Sequence, residues 1–173
     1  MNRPTLLLTS FRPWLKHHRS NASDDLLEII QGRDFIAGEV VFLRQLPVDI
    51  QAASGQVIKA IATHQPNFVV CCGMAESRDR LTIESQAFSQ ADHYETTVNL
   101  QMLSEKLNFT DISHDAGKFV CEGLYFQVLQ YLHLQKLAVK TPAIFVHVPI
   151  LTAKNTAPIV QDFIQILHTM SDN

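Results

Sequence analysis

The chain has 173 residues, of which 46% are hydrophobic and 18% are charged, and its formal net charge at pH 7 is −3. This length is sufficient for one core, so we expect residues 1–173 to form a single domain. The charge lacks the basic excess that binding to nucleic acid or to an anionic membrane requires, and neither partner is expected.

The amino-terminal segment MNRPTLLLTSF contains only three consecutive leucines before polar residues resume. That run is too short for a signal-peptide core or a membrane span, so we expect a cytoplasmic protein. The three cysteines, Cys71, Cys72 and Cys121, show no C-x-x-C spacing. They predict neither a disulfide framework nor a paired-cysteine metal site.

Strands and helices are predicted to alternate along the chain. Apolar runs rich in β-branched residues predict buried strands at 5–9, 38–43, 67–73 and 143–148. Three sets of apolar residues have helical spacing: Ile50, Ala53, Val57 and Ile61; Leu124, Val128, Tyr131 and Leu132; and Ile159, Phe163, Ile166 and Leu167. Because parallel strands need crossover connections, this order predicts an α/β fold with helices on both faces of a mostly parallel sheet.

Two segments have weaker patterns. Residues 108–114 predict a further short strand. Within 80–98, LTIESQAF is compatible with extended structure, whereas the polar QADHYETT is typical of a loop.

Three reactive residues are expected where ligands bind open α/β sheets, beyond the carboxyl ends of the strands. Cys121 begins a predicted helix, whose terminal N–H groups would favour its thiolate. His147, near the end of a strand, could accept the thiol proton, and Glu84 could orient the imidazole. From spacing alone, a buried cysteine, a core histidine and a solvated glutamate explain the same residues.

The neighbours of these residues form longer motifs. AGKFVC (116–121) and FVHVP (145–149) each combine a reactive residue with fixed neighbours, and LLLTSFRPW (6–14) and HQPNFVVCCGMAESRDRLTIESQA (64–87) precede them. In this order, the segments resemble those of pyrrolidone-carboxylate peptidases (pyroglutamyl peptidase I), a cysteine peptidase family that removes amino-terminal pyroglutamyl residues from peptides. The resemblance covers nearly the whole chain.

The resemblance implies specific roles for five residues. Cys121 matches the nucleophile, His147 the base and Glu84 the catalytic glutamate, while Phe11 and Trp14 match an aromatic pair that would hold the lactam ring. For Phe11 and Trp14, ordinary aromatic packing is the alternative. The family also implies a single-domain, three-layer α/β/α fold of the phosphorylase/hydrolase type, a reaction without cofactor or metal, and a possible homo-oligomer.

Several positions depart from the family pattern. Glu76 and Ser77 replace two glycines, Ser85 replaces an arginine, and Tyr94 falls where an arginine near the oxyanion site is expected. An insertion of the family is also missing between about Asp92 and Thr97. These departures keep a second reading open, in which a catalytically diverged relative acts as a small-ligand-binding or regulatory protein.

For two pairs of adjacent residues, a structural or solvated role is a simpler interpretation than a binding site. Cys71 and Cys72 lie in one predicted strand, so their side chains face opposite sides of the sheet. His17 and His18 lie in a polar turn, where we expect solvated side chains, with metal binding as the lesser alternative.

Overall fold

The computed structural model describes residues 4–33, 38–90 and 92–171. In chain order its elements are β1 (Thr5–Phe11), α1 (Ala22–Gln31), β2 (Glu39–Leu46), α2 (Ile50–His64), β3 (Phe68–Met74), β4 (Leu81–Glu84), β5 (Gln86–Ser89), β6 (Asp92–Glu95), α3 (Leu100–Ser104), β7 (Thr110–Ser113), α4 (Val120–Leu134), β8 (Ala143–Val148) and α5 (Thr156–Ser171).

Six strands form one open sheet in the order β2-β1-β3-β8-β4-β7. All neighbouring strands in it are parallel except β4 and β8, which are antiparallel. Strands β5 and β6 pair separately as an antiparallel ribbon. The prediction of a mostly parallel sheet is confirmed.

Helices cover both faces of the sheet. The apolar sides of α2 and α4 pack with Cys71 in one core cluster. Those of α1 and α5 pack with Cys72 in the other. The two cysteines therefore face opposite sides, as the strand pattern predicts, and the three-layer α/β/α arrangement is confirmed.

Three elements differ from the sequence expectations, one of them the short helix α3, which was not predicted. The polar segment expected to be a loop contains β6, which pairs along β5 instead of entering the main sheet. Helix α1 was not predicted, although Asn21 caps it by accepting a hydrogen bond from the Ser23 amide, and Asp24 and Asp25 lie in its first turn. No helix in the described ranges has the length and apolar character needed to cross a membrane.

Candidate active site

A large open cavity lies at the carboxyl ends of β1, β3 and β8, with a volume of about 1240 Å³. Cys121 and His147 both line it, as do Phe11 and Trp14. Four of the five predicted site residues therefore line a cavity at the carboxyl edge of the sheet, where ligands of open α/β sheets bind. Glu84, the fifth, lies behind His147 and is fully buried.

Glu84 and His147 form a buried hydrogen-bonded pair. The Nδ1 atom of His147 lies 2.7 Å from Oε1 of Glu84, and the His147 side chain is only 6% exposed. Their strands are antiparallel neighbours, so the two side chains project from the same face of the sheet. An ionised carboxylate can only accept here, which assigns the proton to Nδ1 and leaves Nε2 as a base.

Arg78, in the turn between β3 and β4, contacts the same oxygen of Glu84 as His147. Its Nη1 donates to Oε1 of Glu84 at 2.6 Å and also contacts the Thr82 hydroxyl, while its Nη2 donates to the Asp115 carbonyl at 3.1 Å. Burial alone would raise the pKa of Glu84, but the hydrogen bond with His147 and the Arg78 charge outweigh it, so that pKa is lowered. Glu84 therefore remains anionic beside the imidazole.

Cys121 lies in the first turn of α4, as expected from the sequence. Phe119 occupies the cap position, and its side chain makes no capping hydrogen bond. The first hydrogen bond of α4 runs from the Gly123 N–H to the Phe119 carbonyl. The N–H groups of Val120, Cys121 and Glu122 lie ahead of it and have no acceptor within the helix. Gly117 enables the preceding turn, because its φ of +96° is strained for residues with a Cβ.

Gly73 leaves space for the Cys121 thiol on the sheet face that carries His147. It pairs with His147 across β3 and β8, so the missing side chain of Gly73 would project from the same face as His147. A Cβ at Gly73 would lie 2.6 Å from Sγ of Cys121. The sulfur therefore occupies the space next to His147 that any other residue at position 73 would fill.

The expected thiolate at Cys121 is not what the resting structure favours. Burial, reinforced by the negative charge of Glu84, raises the pKa of the Cys121 thiol to about 12, although Arg78 opposes the shift. This direction is opposite to the one that the helix amino terminus alone predicts for the Cys121 thiol. Within the described ranges, no hydrogen bond joins Sγ to the His147 ring.

We expect iodoacetamide to modify Cys121 faster than Cys71 or Cys72, because accessibility separates them. Cys71 and Cys72 are fully buried in β3, whereas Cys121 is half-buried and faces the cavity. Mass-spectrometric mapping of a time course on the folded protein measures this order. Faster labelling of Cys71 would contradict it, and labelling in denaturant, where all three thiols are accessible, provides the control.

The two predicted aromatic residues have different surroundings. Phe11 is 3% exposed and belongs to the core under the cavity, while Trp14 is 53% exposed at its rim. The ring nearest to Trp14 along the cavity wall is that of Phe119, with 6.2 Å between centroids. Phe119 is part of the AGKFVC motif but was not assigned a binding role from the sequence.

Tyr94 does not take the place of the family's arginine at the cavity. Its ring packs against Phe126 and His133 on α4, each at 5.3 Å between centroids. The site therefore has no counterpart of that arginine at Tyr94.

Tyr125 supports Glu84 from the same helix as Cys121. Its buried hydroxyl donates to the Glu84 carbonyl at 3.0 Å. Arg78, Gly73 and Tyr125 were not predicted as site residues. A glycine inside a strand pattern is a signal for close approach and could have indicated Gly73.

His17 and His18 lie at the cavity rim beside Glu76. His17 is exposed, as expected, but the expectation of a solvated His18 is wrong, since its side chain is only 7% exposed. One ligand atom from each of His17, His18 and Glu76 lies within 4.8 Å of the others.

Comparisons with known proteins agree on one family. A family model described as pyroglutamyl peptidase matches residues 4–99. Pyrrolidone-carboxylate peptidases of Vibrio vulnificus and Bacillus subtilis are 27% and 25% identical, covering 88% and 90% of this chain and 81% and 84% of their own.

Solved structures of the same family share the fold. Pyroglutamyl peptidase I of Bacillus amyloliquefaciens superposes with a TM-score of 0.84 at 18% identity, with 98% of each chain covered. Pyrrolidone carboxyl peptidase of Thermococcus litoralis gives 0.82 at 16% identity, covering 98% of this chain and 94% of its own.

Proposed function

The chain belongs to the pyroglutamyl peptidase family, whose members are cysteine peptidases, and on that premise we propose that it hydrolyses the amide bond after an N-terminal pyroglutamyl residue of peptides. The observation that carries the proposal is the Glu84–His147 pair at 2.7 Å, with the Cys121 sulfur seated over Gly73 on the same sheet face. Cys121 is the nucleophile, His147 the general base and Glu84 the group that orients it. The proposed location is the cytoplasm.

The reaction begins with a neutral thiol. Sγ of Cys121 attacks the carbonyl carbon as its proton passes to Nε2 of His147, so charge forms on sulfur only during attack. The oxyanion accepts hydrogen bonds from N–H groups of the first turn of α4. His147 then returns the proton to the leaving amine, and water hydrolyses the thioester that remains on Cys121.

Glu84 and Arg78 act through His147. The anionic Glu84 keeps the proton on Nδ1 and stabilises the imidazolium that forms during attack. Arg78 is a positioning residue, because it fixes Glu84 and the carbonyl of Asp115, just ahead of the AGKFVC turn, with one guanidinium. No cofactor is needed for these steps.

The flat, mostly apolar lactam ring fits the aromatic wall of the cavity. Trp14 is exposed next to Phe119, and Phe11 closes the floor below them. Aromatic faces can hold the ring while backbone groups pair with its single N–H and C=O. Phe11 and Trp14 are therefore the proposed substrate-binding residues.

Trp14→Ala is expected to raise KM for a pyroglutamyl substrate with little change in kcat. The ring contributes to binding in both the ground state and the transition state, so its loss costs roughly 1 to 3 kcal/mol of uniform binding. Steady-state kinetics on a pyroglutamyl reporter measures the change. An unchanged KM would remove Trp14 from the pocket, and Trp14→Phe, which keeps an aromatic ring, is the matched control.

Release of aminomethylcoumarin from its pyroglutamyl amide, under reducing conditions, tests the activity. The prolyl amide is the specificity control, because it is charged and lacks the lactam carbonyl that the site would pair. We expect cleavage of the first reporter and not of the second. Tight binding of pyroglutamyl peptides without cleavage would favour the diverged, ligand-binding alternative.

A further inference from the structure

The two histidines and the glutamate at the cavity rim come from separate parts of the chain. His17 and His18 lie in the turn between β1 and α1, while Glu76 lies in the turn between β3 and β4. Their nearest ligand atoms are within 4.8 Å of one another, and the two imidazole rings are 4.4 Å apart between centroids. The set therefore joins two turns that both border the cavity.

The environment of His18 is unusual for a histidine without a ligand. Its side chain is only 7% exposed, yet neither Nδ1 nor Nε2 has a hydrogen-bond partner among the described residues. Nε2 lies 2.5 Å from Oε1 of Glu76, so an imidazole nitrogen and a carboxylate oxygen are already in contact there. A buried imidazole normally uses its single N–H and its single lone pair, so His18 beside the Glu76 carboxylate points to a cation that would accept that lone pair.

We propose that His17, His18 and Glu76 form a binding site for Zn²⁺ or a similar late first-row divalent cation. Two imidazole nitrogens and one carboxylate oxygen are ligands that zinc prefers, with a water molecule able to complete a tetrahedron. Imidazole ligation disfavours Mg²⁺ and Ca²⁺, which select oxygen ligands. At zinc–ligand distances of about 2.1 Å, tetrahedral ligands lie about 3.4 Å apart, so small side-chain shifts suffice.

The site lies outside the proposed triad but shares the cavity with it. Glu76 and Trp14 both line the cavity, and the Trp14 ring is 6.3 Å from that of His18. A bound cation would fix the turn that carries Trp14 to the turn that carries Arg78. The site would thereby hold together the rim through which a peptide enters.

Zinc affinity is measured by competition with a chromogenic chelator, using untagged full-length Cys121→Ser protein. This background is needed because Cys121 and His147 are themselves potential zinc ligands. The test variants in that background are His18→Ala and Glu76→Gln. His168→Ala, which removes an exposed histidine on α5, is the matched control.

We expect one zinc per chain, bound at least about tenfold more weakly in His18→Ala and Glu76→Gln and unchanged in His168→Ala. Trp14 is the only tryptophan, so quenching of its fluorescence by Cu²⁺ is an independent readout that His18→Ala should abolish. Circular dichroism identifies a variant that fails to fold. If His18→Ala fails to fold, Glu76→Gln still tests the site, because the Glu76 side chain is 44% exposed and its substitution should leave the fold intact. Absence of zinc binding, or equal affinity in both test variants and the parent, would overturn the proposal.

Discussion

Cys121→Ala is expected to lower kcat/KM for a pyroglutamyl reporter by at least about 10³-fold, because no other group can form the thioester. The thiol is half-buried beside a cavity, so its loss should leave the fold intact. Steady-state kinetics and a thermal melt on the same preparation measure both quantities. His147→Ala should have a comparable effect, and Glu84→Gln a smaller one, since Glu84 acts through the imidazole.

Full activity in Cys121→Ala at equal purity would exclude this mechanism. Cys71→Ala is a suitable control for the loss of a thiol as such, because Cys71 is fully buried in β3. It should reduce stability through a small cavity while leaving the reaction intact.

Gly73→Ala is expected to reduce kcat/KM on the order of 10²-fold through displacement of the nucleophile. The new Cβ would lie 2.6 Å from Sγ of Cys121 and 2.8 Å from the Phe145 ring, so at least one of them must move. Since Phe145 is packed in the core, the sulfur is the atom with space to shift, toward the cavity and away from its place beside His147. Kinetics on the pyroglutamyl reporter and the rate of Cys121 alkylation together measure the displacement.

Gly55→Ala is the matched control for this substitution. Gly55 lies inside α2, and a Cβ there meets no atom within 4 Å. Ala in an open helical position should stabilise the protein by about 0.5–1 kcal/mol without affecting the site. Equal kinetics for Gly73→Ala and Gly55→Ala would show that the sulfur does not depend on the space above Gly73.

The sequence predicted the main sheet because its strands are continuous apolar runs, as strands buried on both faces must be. The sequence also predicted that His147 and Cys121 lie at the carboxyl edge, because the end of a strand and the start of a helix are visible in the local sequence. Strand β6 was missed because its residues are polar and it pairs with the short strand β5 outside the main sheet. Polar composition alone does not distinguish such a strand from a loop.

The electrostatics of the site could not be read from the sequence. The pKa of Cys121 depends on how far the fold removes its thiol from water and on the charge of Glu84, which comes from a distant part of the chain. The sequence shows where the helix begins, but it does not show this burial or this neighbouring charge. The pairing of Arg78 with Glu84 likewise depends on how the β3–β4 turn folds back over the sheet.

Helix α4 carries both Cys121 and Tyr125, one turn apart, and Tyr125 holds the backbone of Glu84. Cys121 and Tyr125 therefore move together whenever α4 moves. Because an α-helix rises about 1.5 Å per residue, a shift of α4 by one residue along its axis would displace both side chains by that distance. A tilt of α4 that leaves the hydrophobic core nearly unchanged would spoil sulfur position and carboxylate position together. Turnover in this protein is therefore a more sensitive measure of how α4 sits on the sheet than its melting temperature.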